Sequence, residues 1–197
     1  MASTLHIAQH AEADRMLSTD PLALLLGMLL DQQFPMERAF AGPYLLAQRL
    51  GLNPDGGGRL DAAALADADP EHLVAVFTGP PAVHRFPGAM AGRVQALCRQ
   101  VADKYDGDAA ALWRTAATGR ELLTRLRALP GFGEQKARIF VALLGKQFGV
   151  QPEGWREAAG AYGDEGSTRS VADVVGPETL QQVREFKRAA KAALKDG

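Results

Sequence analysis

The chain has 197 residues, 47% of them hydrophobic and 23% charged, with a formal net charge of −1 and a sequence pI near 6.4. This length and apolar content are enough for one large folded domain or two small intergrown ones. A chain so close to neutrality is not a polycation that binds nucleic acid by bulk charge, so any such contact must be local.

Cysteine and histidine usage, together with the apolar runs, narrows the class of protein further. The single cysteine, Cys98, excludes an internal disulfide framework and a four-cysteine metal cluster. The four histidines lack the spacing of a zinc site. The apolar run 22–30 is too short to cross a bilayer, and the opening residues do not form an export signal. We therefore expect a cytoplasmic protein that does not enter a membrane and needs no metal and no cofactor.

Helical patterns follow one another along nearly the whole chain. Alanine and leucine abound, alternating strand patterns are absent, and Pro or Gly clusters recur at helix-length intervals. The sequence therefore predicts an all-α fold. The predicted helices, in chain order, cover residues 6–17, 21–33, 36–50, 61–66, 70–77, 89–105 and 109–115, two arms on either side of residues 129–133, and residues 177–195.

The helix predicted over residues 21–33 differs from the others because it is apolar on nearly every face. Asp20 is a good N-cap residue for it, and Pro21 is a good first-turn residue. A helix that is apolar all round belongs at the centre of a bundle. This helix ends in the polar sequence Asp31-Gln32-Gln33, which is expected to reach the surface.

The loop Leu129-Pro130-Gly131-Phe132-Gly133 separates two arms with helical apolar spacing. Pro130 ends the first arm, and the two glycines permit a turn too sharp for residues with a Cβ. The N–H groups that open the second arm then point outward with the positive end of the helix dipole. Residues 120–150 carry six basic and two acidic side chains, so a phosphate is the natural ligand. The alternative is an ordinary αα-hairpin with a Pro-Gly turn.

This loop with its two arms resembles the helix-hairpin-helix motif of the HhH-GPD superfamily of base-excision DNA glycosylases. The helix over residues 21–33 is similar to a second family feature, a buried leucine-rich helix whose glutamine-containing turn faces DNA. The similar region runs from about Leu22 to Gly149. The resemblance implies a two-lobed helical fold, in which residues 19–149 form a bundle with the hairpin and residues 1–18 and 150–197 form the second lobe.

The resemblance also implies a partner, double-stranded DNA. An enzyme that acts on a nucleobase must first flip the nucleotide out of the duplex. Gln33 is the best match for the family residue that fills the resulting hole, and the alternative is a plain polar helix end. We expect a monomer associated with the nucleoid. The expected DNA contacts of the hairpin are Leu129, Gly131, Phe132, Gly133, Gln135, Lys136 and Arg138.

One catalytic group of the family, an amine nucleophile, is displaced in this chain. The amine, when present, is a lysine two residues after the second hairpin glycine, where this chain has Gln135. Lys136 comes one residue later, and one residue is a rotation of roughly 100° around a helix. Strand nicking requires that amine for a Schiff base, so we expect none. The family's iron–sulfur variant needs four C-terminal cysteines, and we expect no cluster here.

The family's catalytic aspartate, which follows the second hairpin helix, is replaced. Cleavage of the N-glycosidic bond builds positive charge on the sugar, and a nearby carboxylate stabilises that charge. Glu153 is the nearest substitute, although a glutamate at a helix N-terminus is also an ordinary stabilising residue. Further catalytic or pocket candidates are Glu157, Asp31, Asp164, Gln135 and Trp155. The sequence thus predicts a monofunctional glycosylase for a damaged or mismatched base, or alternatively a catalytically inactive DNA-binding or scaffold protein.

Overall fold

The computed structural model describes residues 4–195. Within that range the chain forms eleven α-helices and no β-strand, which confirms the all-α prediction. Residues 1–3 and 196–197, the two ends of the predicted second lobe, lie outside the described residues. The helices are α1 (Ala11–Thr19), α2 (Pro21–Leu30), α3 (Met36–Arg49), α4 (Ala62–Asp67), α5 (Pro70–Thr78), α6 (Pro87–Tyr105), α7 (Ala111–Arg114), α8 (Gly119–Arg127), α9 (Glu134–Gln147), α10 (Trp155–Ala159) and α11 (Pro177–Ala193).

Aspartate N-caps confirm several of the predicted helix starts. The Asp20 carboxylate accepts hydrogen bonds from the N–H groups of Leu22 at 3.0 Å and Ala23 at 3.2 Å. Asp61 and Asp69 cap α4 and α5 in the same way. A cap is a local interaction between a side chain and the first helical turn, so the sequence pattern suffices to locate it.

The first helix starts later than predicted, at Ala11 rather than at His6. The buried carboxylate of Asp14 accepts hydrogen bonds from the N–H groups of Ile7 and Ala8, each at 2.8 Å. These bonds hold the preceding segment in a nonhelical conformation. Apolar spacing alone does not reveal this competition between a side chain and the helix for backbone N–H groups.

The glycine-rich stretch after α9, predicted to be irregular, contains α10 and a 3₁₀ turn over Gly160–Gly163. The buried ring of Trp155 anchors α10 against α9 at Gly145. A Cβ at Gly145 would lie 2.3 Å from Cζ3 of that ring, so the contact requires glycine. Tertiary packing of this one ring therefore orders a segment whose local sequence favours a loop.

Helix α2 lies in the core, as its apolar surface predicts. Every residue from Leu22 to Leu30 is buried. Helices α1 and α3 pack against α2 and each other, α4 and α5 pack against α6, and α8 and α10 pack against α9. A Cβ at Gly27 would lie 2.8 Å from Cδ1 of Phe40, which shows how closely α3 approaches α2. Across residues 4–195, none of the helices combines the length and apolar character that crossing a membrane requires.

Asp20 also connects α2 to a distant part of the chain. Its second carboxylate oxygen, Oδ2, accepts a hydrogen bond from the Leu60 N–H at 2.9 Å. The carboxylate is buried, and this burial raises the pKa of Asp20, while the backbone hydrogen bonds oppose the shift. One side chain therefore holds both the N-terminus of α2 and the segment that leads into α4.

We expect Asp20→Ala to lower the free energy of unfolding by about 2–4 kcal/mol, because it removes a cap and leaves the Leu60 N–H unpaired. Asp61→Ala is the matched control, since Asp61 caps the exposed start of α4 through a single bond to the Ala64 N–H. The control should lose only about 1 kcal/mol. Urea unfolding followed by circular dichroism measures both values, and equal losses would show that the bond to Leu60 contributes nothing.

Candidate nucleic-acid interface

The loop between α8 and α9 packs against the C-terminal end of α2. A Cβ at Gly131 would lie 2.4 Å from Cδ1 of Leu29, and Gly131 has φ +80°, so both space and conformation require glycine. Leu129 and Phe132 are buried beside it, whereas Gly131 and Gly133 face solvent. Two segments far apart in the sequence therefore form one continuous surface.

Lys136 connects the same two segments through hydrogen bonds. Its Nζ donates to the carbonyl oxygens of Met28 at 2.8 Å, Leu29 at 3.0 Å and Asp31 at 3.2 Å. A helix C-terminus leaves such carbonyls without intrahelical partners, and an ammonium group has three protons to donate. Burial lowers the pKa of Lys136 to about 8, and the charge of Asp31 opposes the shift. In the structure Lys136, which is predicted to contact DNA, points inward and caps α2 from the hairpin.

The turn after α2 exposes Gln33 in a strained conformation. Gln33 has φ +51°, in the left-handed region, which costs a residue other than glycine about 1–3 kcal/mol. Neighbouring side chains hold the preceding residue: Arg93 donates to the Gln32 side chain, and Nε2 of His84 lies 3.0 Å from the Gln32 carbonyl oxygen. The residue predicted to fill the hole in DNA thus stands on a bend that the surrounding structure fixes.

His84 supports this bend from inside, a role that no motif in the sequence indicates. Its ring is fully buried, and Nδ1 accepts a hydrogen bond from the Phe86 N–H at 3.0 Å. Nε2 therefore carries the proton and donates to Gln32. Burial lowers the pKa of His84, against the effect of its backbone hydrogen bonds, which favours the neutral ring. Its ring also lies 4.7 Å from that of Phe34, centroid to centroid.

The first turn of α9 offers free N–H groups. Gly133, the N-cap residue, has no side chain to accept from them, and the helical ladder begins with the bond from Ala137 N–H to Gly133 O. Among residues 4–195, no acceptor bonds the backbone N–H groups of Glu134, Gln135 or Lys136. Such groups at the start of a 14-residue helix form an anion site.

Much of the positive charge predicted around the hairpin is already paired. The Glu134 carboxylate forms ion pairs with two arginines: Nε of Arg127 lies 2.8 Å from Oε2, and Nε of Arg138 lies 2.7 Å from Oε1. Lys146 lies 2.6 Å from Asp173, and both side chains are largely buried. The charge available to a phosphate at the loop is therefore smaller than the sequence count implies, and the N–H groups matter more.

Unpaired cations surround the turn after α2 instead. Within the described chain, no carboxylate lies within 4.0 Å of Arg38, Arg85, Arg93 or Lys187. Arg38 covers the ring of Phe34 at 4.7 Å from its centroid. A cavity of about 510 Å³ opens beside Gln33 at this position. Its lining consists of Gln33, Phe34, Pro35, Arg38, Ala82, His84, Arg85 and Pro87.

The Glu153 backbone lies where α8 begins, at the end of that helix away from the loop, whereas Glu157 lies on α10 next to Ala158, whose carbonyl oxygen accepts a hydrogen bond from Arg138 of α9. The Glu153 carbonyl oxygen accepts a hydrogen bond from the Gly119 N–H at 2.7 Å, where α8 begins. The nine residues of α8 then separate Glu153 from the loop by about 13 Å along the helix axis. Both glutamates are exposed and share a cavity of about 540 Å³ with Arg120 and Arg138.

Asp31 is the candidate carboxylate that lies where the hairpin meets α2. Its side chain is half-buried and has no hydrogen-bond partner among residues 4–195. Burial raises the pKa of Asp31, and the charges of Lys187 and Lys136 oppose the shift. An unpaired, half-buried carboxylate beside an ammonium is unusual, because such groups are normally hydrogen-bonded.

The other predicted residues have separate surroundings. Gln135 is exposed, and its amide donates to Oη of Tyr162 at 2.9 Å. Asp164, two residues after Tyr162, is also exposed. Trp155 is buried against α9, and its ring also lines a cavity of about 300 Å³ together with Lys146 and Arg156. The fold therefore places Asp31 and the turn with Gln33 beside the hairpin loop, and it holds the Glu153 backbone at the opposite end of α8.

Comparison of the chain with models of known protein families and with curated proteins finds no match. What this surface binds must therefore be inferred from its own geometry and charge. The contacts made by Lys136 can be tested without knowledge of any ligand, through the pH dependence of stability.

We expect the free energy of unfolding to rise between about pH 8 and pH 10.5. The pKa of Lys136 is lowered from 10.5 to about 8 on folding, so the unfolded chain binds the extra proton throughout this window. The free energy of unfolding therefore increases with pH across this window, by up to about 3 kcal/mol. Below about pH 8 the Lys136 ammonium stays charged in the folded state, and the full cost of removing it from water remains. Lys136→Met keeps the apolar stem but removes the titration. Urea unfolding of the wild type and of Lys136→Met at a series of pH values tests this. The same dependence of the free energy of unfolding on pH in both proteins would contradict it.

Proposed function

We propose that this chain binds duplex DNA at the surface shared by the hairpin loop and the turn after α2, and acts there as a monofunctional DNA glycosylase. The observation that carries the proposal is the junction made by Lys136 and Gly131, which joins the uncapped N–H groups of α9 and the exposed Gln33 in one surface. The resemblance to the two-lobed HhH-GPD glycosylases predicts that these two features act together on DNA.

Phosphate binding at the hairpin would depend on backbone N–H groups more than on arginines. The free N–H groups of residues 134–136 and the positive end of the α9 dipole suit one phosphate group. Arg38, Arg85 and Arg93, which have no carboxylate partner in the described chain, would attract the adjacent backbone. Contacts of this kind set the position of the protein on the duplex without reading its sequence.

Gln33 is suited to occupy the space that an extruded nucleotide leaves. Its amide can both donate and accept hydrogen bonds, so it can pair with groups of the remaining base. Its backbone is held before DNA arrives, because His84 and Arg93 fix Gln32. Extrusion costs a few kcal/mol, and a preformed turn adds little ordering entropy to that cost.

For the chemical step, Asp31 is better situated than Glu153 to stabilise the developing sugar cation. It lies beside the turn that carries Gln33, whereas Glu153 is exposed at the other end of α8. The raised pKa of Asp31 implies that excision increases with pH as this carboxyl ionises. At neutral pH Lys136 is unsuited to be a nucleophile, because below its pKa of about 8 the ammonium has no lone pair and donates its three protons to carbonyl oxygens.

A DNA-binding protein without catalysis is the second candidate. The observation that favours it is the exposure of Glu153 at the position where the resemblance predicts a catalytic aspartate. Such a protein would keep the hairpin N–H groups and Gln33 and would bind DNA without excising a base. Excision assays on duplexes with a broad panel of damaged or mismatched bases distinguish the two functions.

We expect Gly133→Asp to stabilise the fold and at the same time to weaken DNA binding. Gly133 has φ −81° and ψ 180°, the extended geometry of an N-cap, and a Cβ there would meet nothing within 4 Å. An aspartate would therefore cap α9, a gain of about 1 kcal/mol, and its charge would repel a phosphate from the same N–H groups.

Gly133→Ala is the matched control, because it adds the Cβ without an acceptor or a charge. Thermal unfolding measures the stability of each variant, and fluorescence anisotropy with a labelled duplex measures its affinity. We expect the aspartate variant to bind at least tenfold more weakly than the alanine variant at low salt. Equal affinities would show that the start of α9 is not the phosphate contact.

A second test compares the two candidate carboxylates. We expect Asp31→Asn to reduce single-turnover excision by on the order of a hundredfold or more, a typical loss for a group that stabilises transition-state charge. Glu153→Gln should leave excision nearly unchanged, and both variants should bind the duplex like the wild type. The reverse pattern would return the role to Glu153. Absence of excision by the wild-type protein across the panel would favour the noncatalytic function.

A further inference from the structure

The C-terminal half of α11 is a helix that no other part of the described chain covers. The first half is held by Leu180 and Val183, which are buried, and by an ion pair between Arg184 and Glu37. Every residue over 187–195 is exposed, and Leu194 is 84% exposed. Packing of Leu180 and Val183 therefore anchors the first half of the helix, whereas residues 187–195 expose their side chains.

Basic side chains line one face of this uncovered segment. Lys187, Arg188, Lys191 and Lys195 are here named the basic stripe: Lys187 and Arg188 are adjacent, Lys191 follows them at spacings of four and three within α11, and Lys195 lies two residues past the helix end. Among residues 4–195, no carboxylate lies within 4.0 Å of any of them. The stripe is about 12 Å long, at a rise of about 1.5 Å per residue.

The arrangement of the basic stripe is unfavourable in the free protein. Within α11, Lys187 and Lys191 are like charges four residues apart, and such a pair destabilises a helix by about 0.2–0.5 kcal/mol. Since residues 187–195 are exposed, tertiary packing does not offset this repulsion. A polyanion laid along the stripe would convert the repulsion into attraction.

The position of the stripe points to one kind of polyanion. Its first residue, Lys187, is close enough to the proposed DNA site for its charge to act on both Asp31 and Lys136. A length of about 12 Å matches three to four phosphates of one DNA strand, at about 3.4 Å per phosphate along the axis. An anionic membrane would require a large apolar face beside the charges, and Leu194 is the single large aliphatic side chain over residues 187–195.

We propose that the basic stripe binds the phosphate backbone of DNA next to the site at Gln33, as a second contact independent of the hairpin N–H groups. This inference rests on the proposed DNA binding and extends the DNA-binding surface to residues 187–195. The stripe contributes charge without base contacts, so its effect is the same for every duplex sequence.

The test replaces Arg188, Lys191 and Lys195 together by glutamine. The matched control replaces Arg59, Lys104 and Arg156, three exposed basic residues elsewhere on the surface with no carboxylate partner in the described chain, and changes the net charge by the same amount. Affinity for a labelled undamaged duplex is measured from low to moderate salt, with circular dichroism and thermal unfolding to verify folding. We expect the stripe variant to lose at least tenfold in affinity and up to about 2.7 units of salt slope, and the control to lose neither.

Equal losses in the two variants would overturn the stripe, because bulk charge would then explain them. Binding of the wild type to vesicles of anionic phospholipid but not to the duplex would overturn it in favour of a membrane. If Gly133→Asp weakens duplex binding while the stripe variant binds like the wild type, the stripe alone is wrong. If the stripe variant loses affinity and Gly133→Asp does not, the stripe is supported and the hairpin phosphate contact of the proposed function is the part that fails.

Discussion

A lysine ammonium at the end of a buried helix is the contact on which the proposed site depends. Every residue of α2 from Leu22 to Leu30 is buried, so the carbonyl groups of its last turn have little access to water. Lys136 supplies three protons to that end, where the helix dipole also favours a positive charge. Removing the ammonium from water is unfavourable, which lowers the pKa of Lys136. Because these carbonyls accept from no other donor within residues 4–195, the arrangement fixes the hairpin against α2.

Polar side chains hold the rest of the same helix and its exit in a similar way. Asp20 caps its start and binds Leu60, and His84 and Arg93 hold the turn that follows its end. Within residues 4–195, no buried side-chain nitrogen or oxygen is left without a hydrogen-bond partner. A helix fixed at both ends can support a strained residue at its exit, and the exposed Gln33 has this position. This rigidity supports a role in which the turn enters another molecule without rearrangement.

The distribution of free charge differs from the distribution of charge in the sequence. Residues 120–150 carry six basic side chains, but Arg127, Arg138 and Lys146 among them are paired with Glu134 or Asp173. Cations without carboxylate partners in the described chain lie around the turn after α2 and along α11. A partner with many phosphates would therefore meet N–H groups at the hairpin and side-chain charge beside it, and its binding would be sensitive to salt.

Sequence by itself determined the features that local interactions decide. These include the all-α class, the helix starts capped by Asp20, Asp61 and Asp69, and the need for glycine at Gly131, because caps and backbone conformation involve neighbouring residues. Tertiary structure alone decided that Lys136 points toward α2 and that Asp31, rather than Glu153, lies beside the turn with Gln33. Whether a side chain meets solvent or a distant carbonyl depends on how helices far apart in the sequence pack, and helical periodicity specifies a face but not its partner.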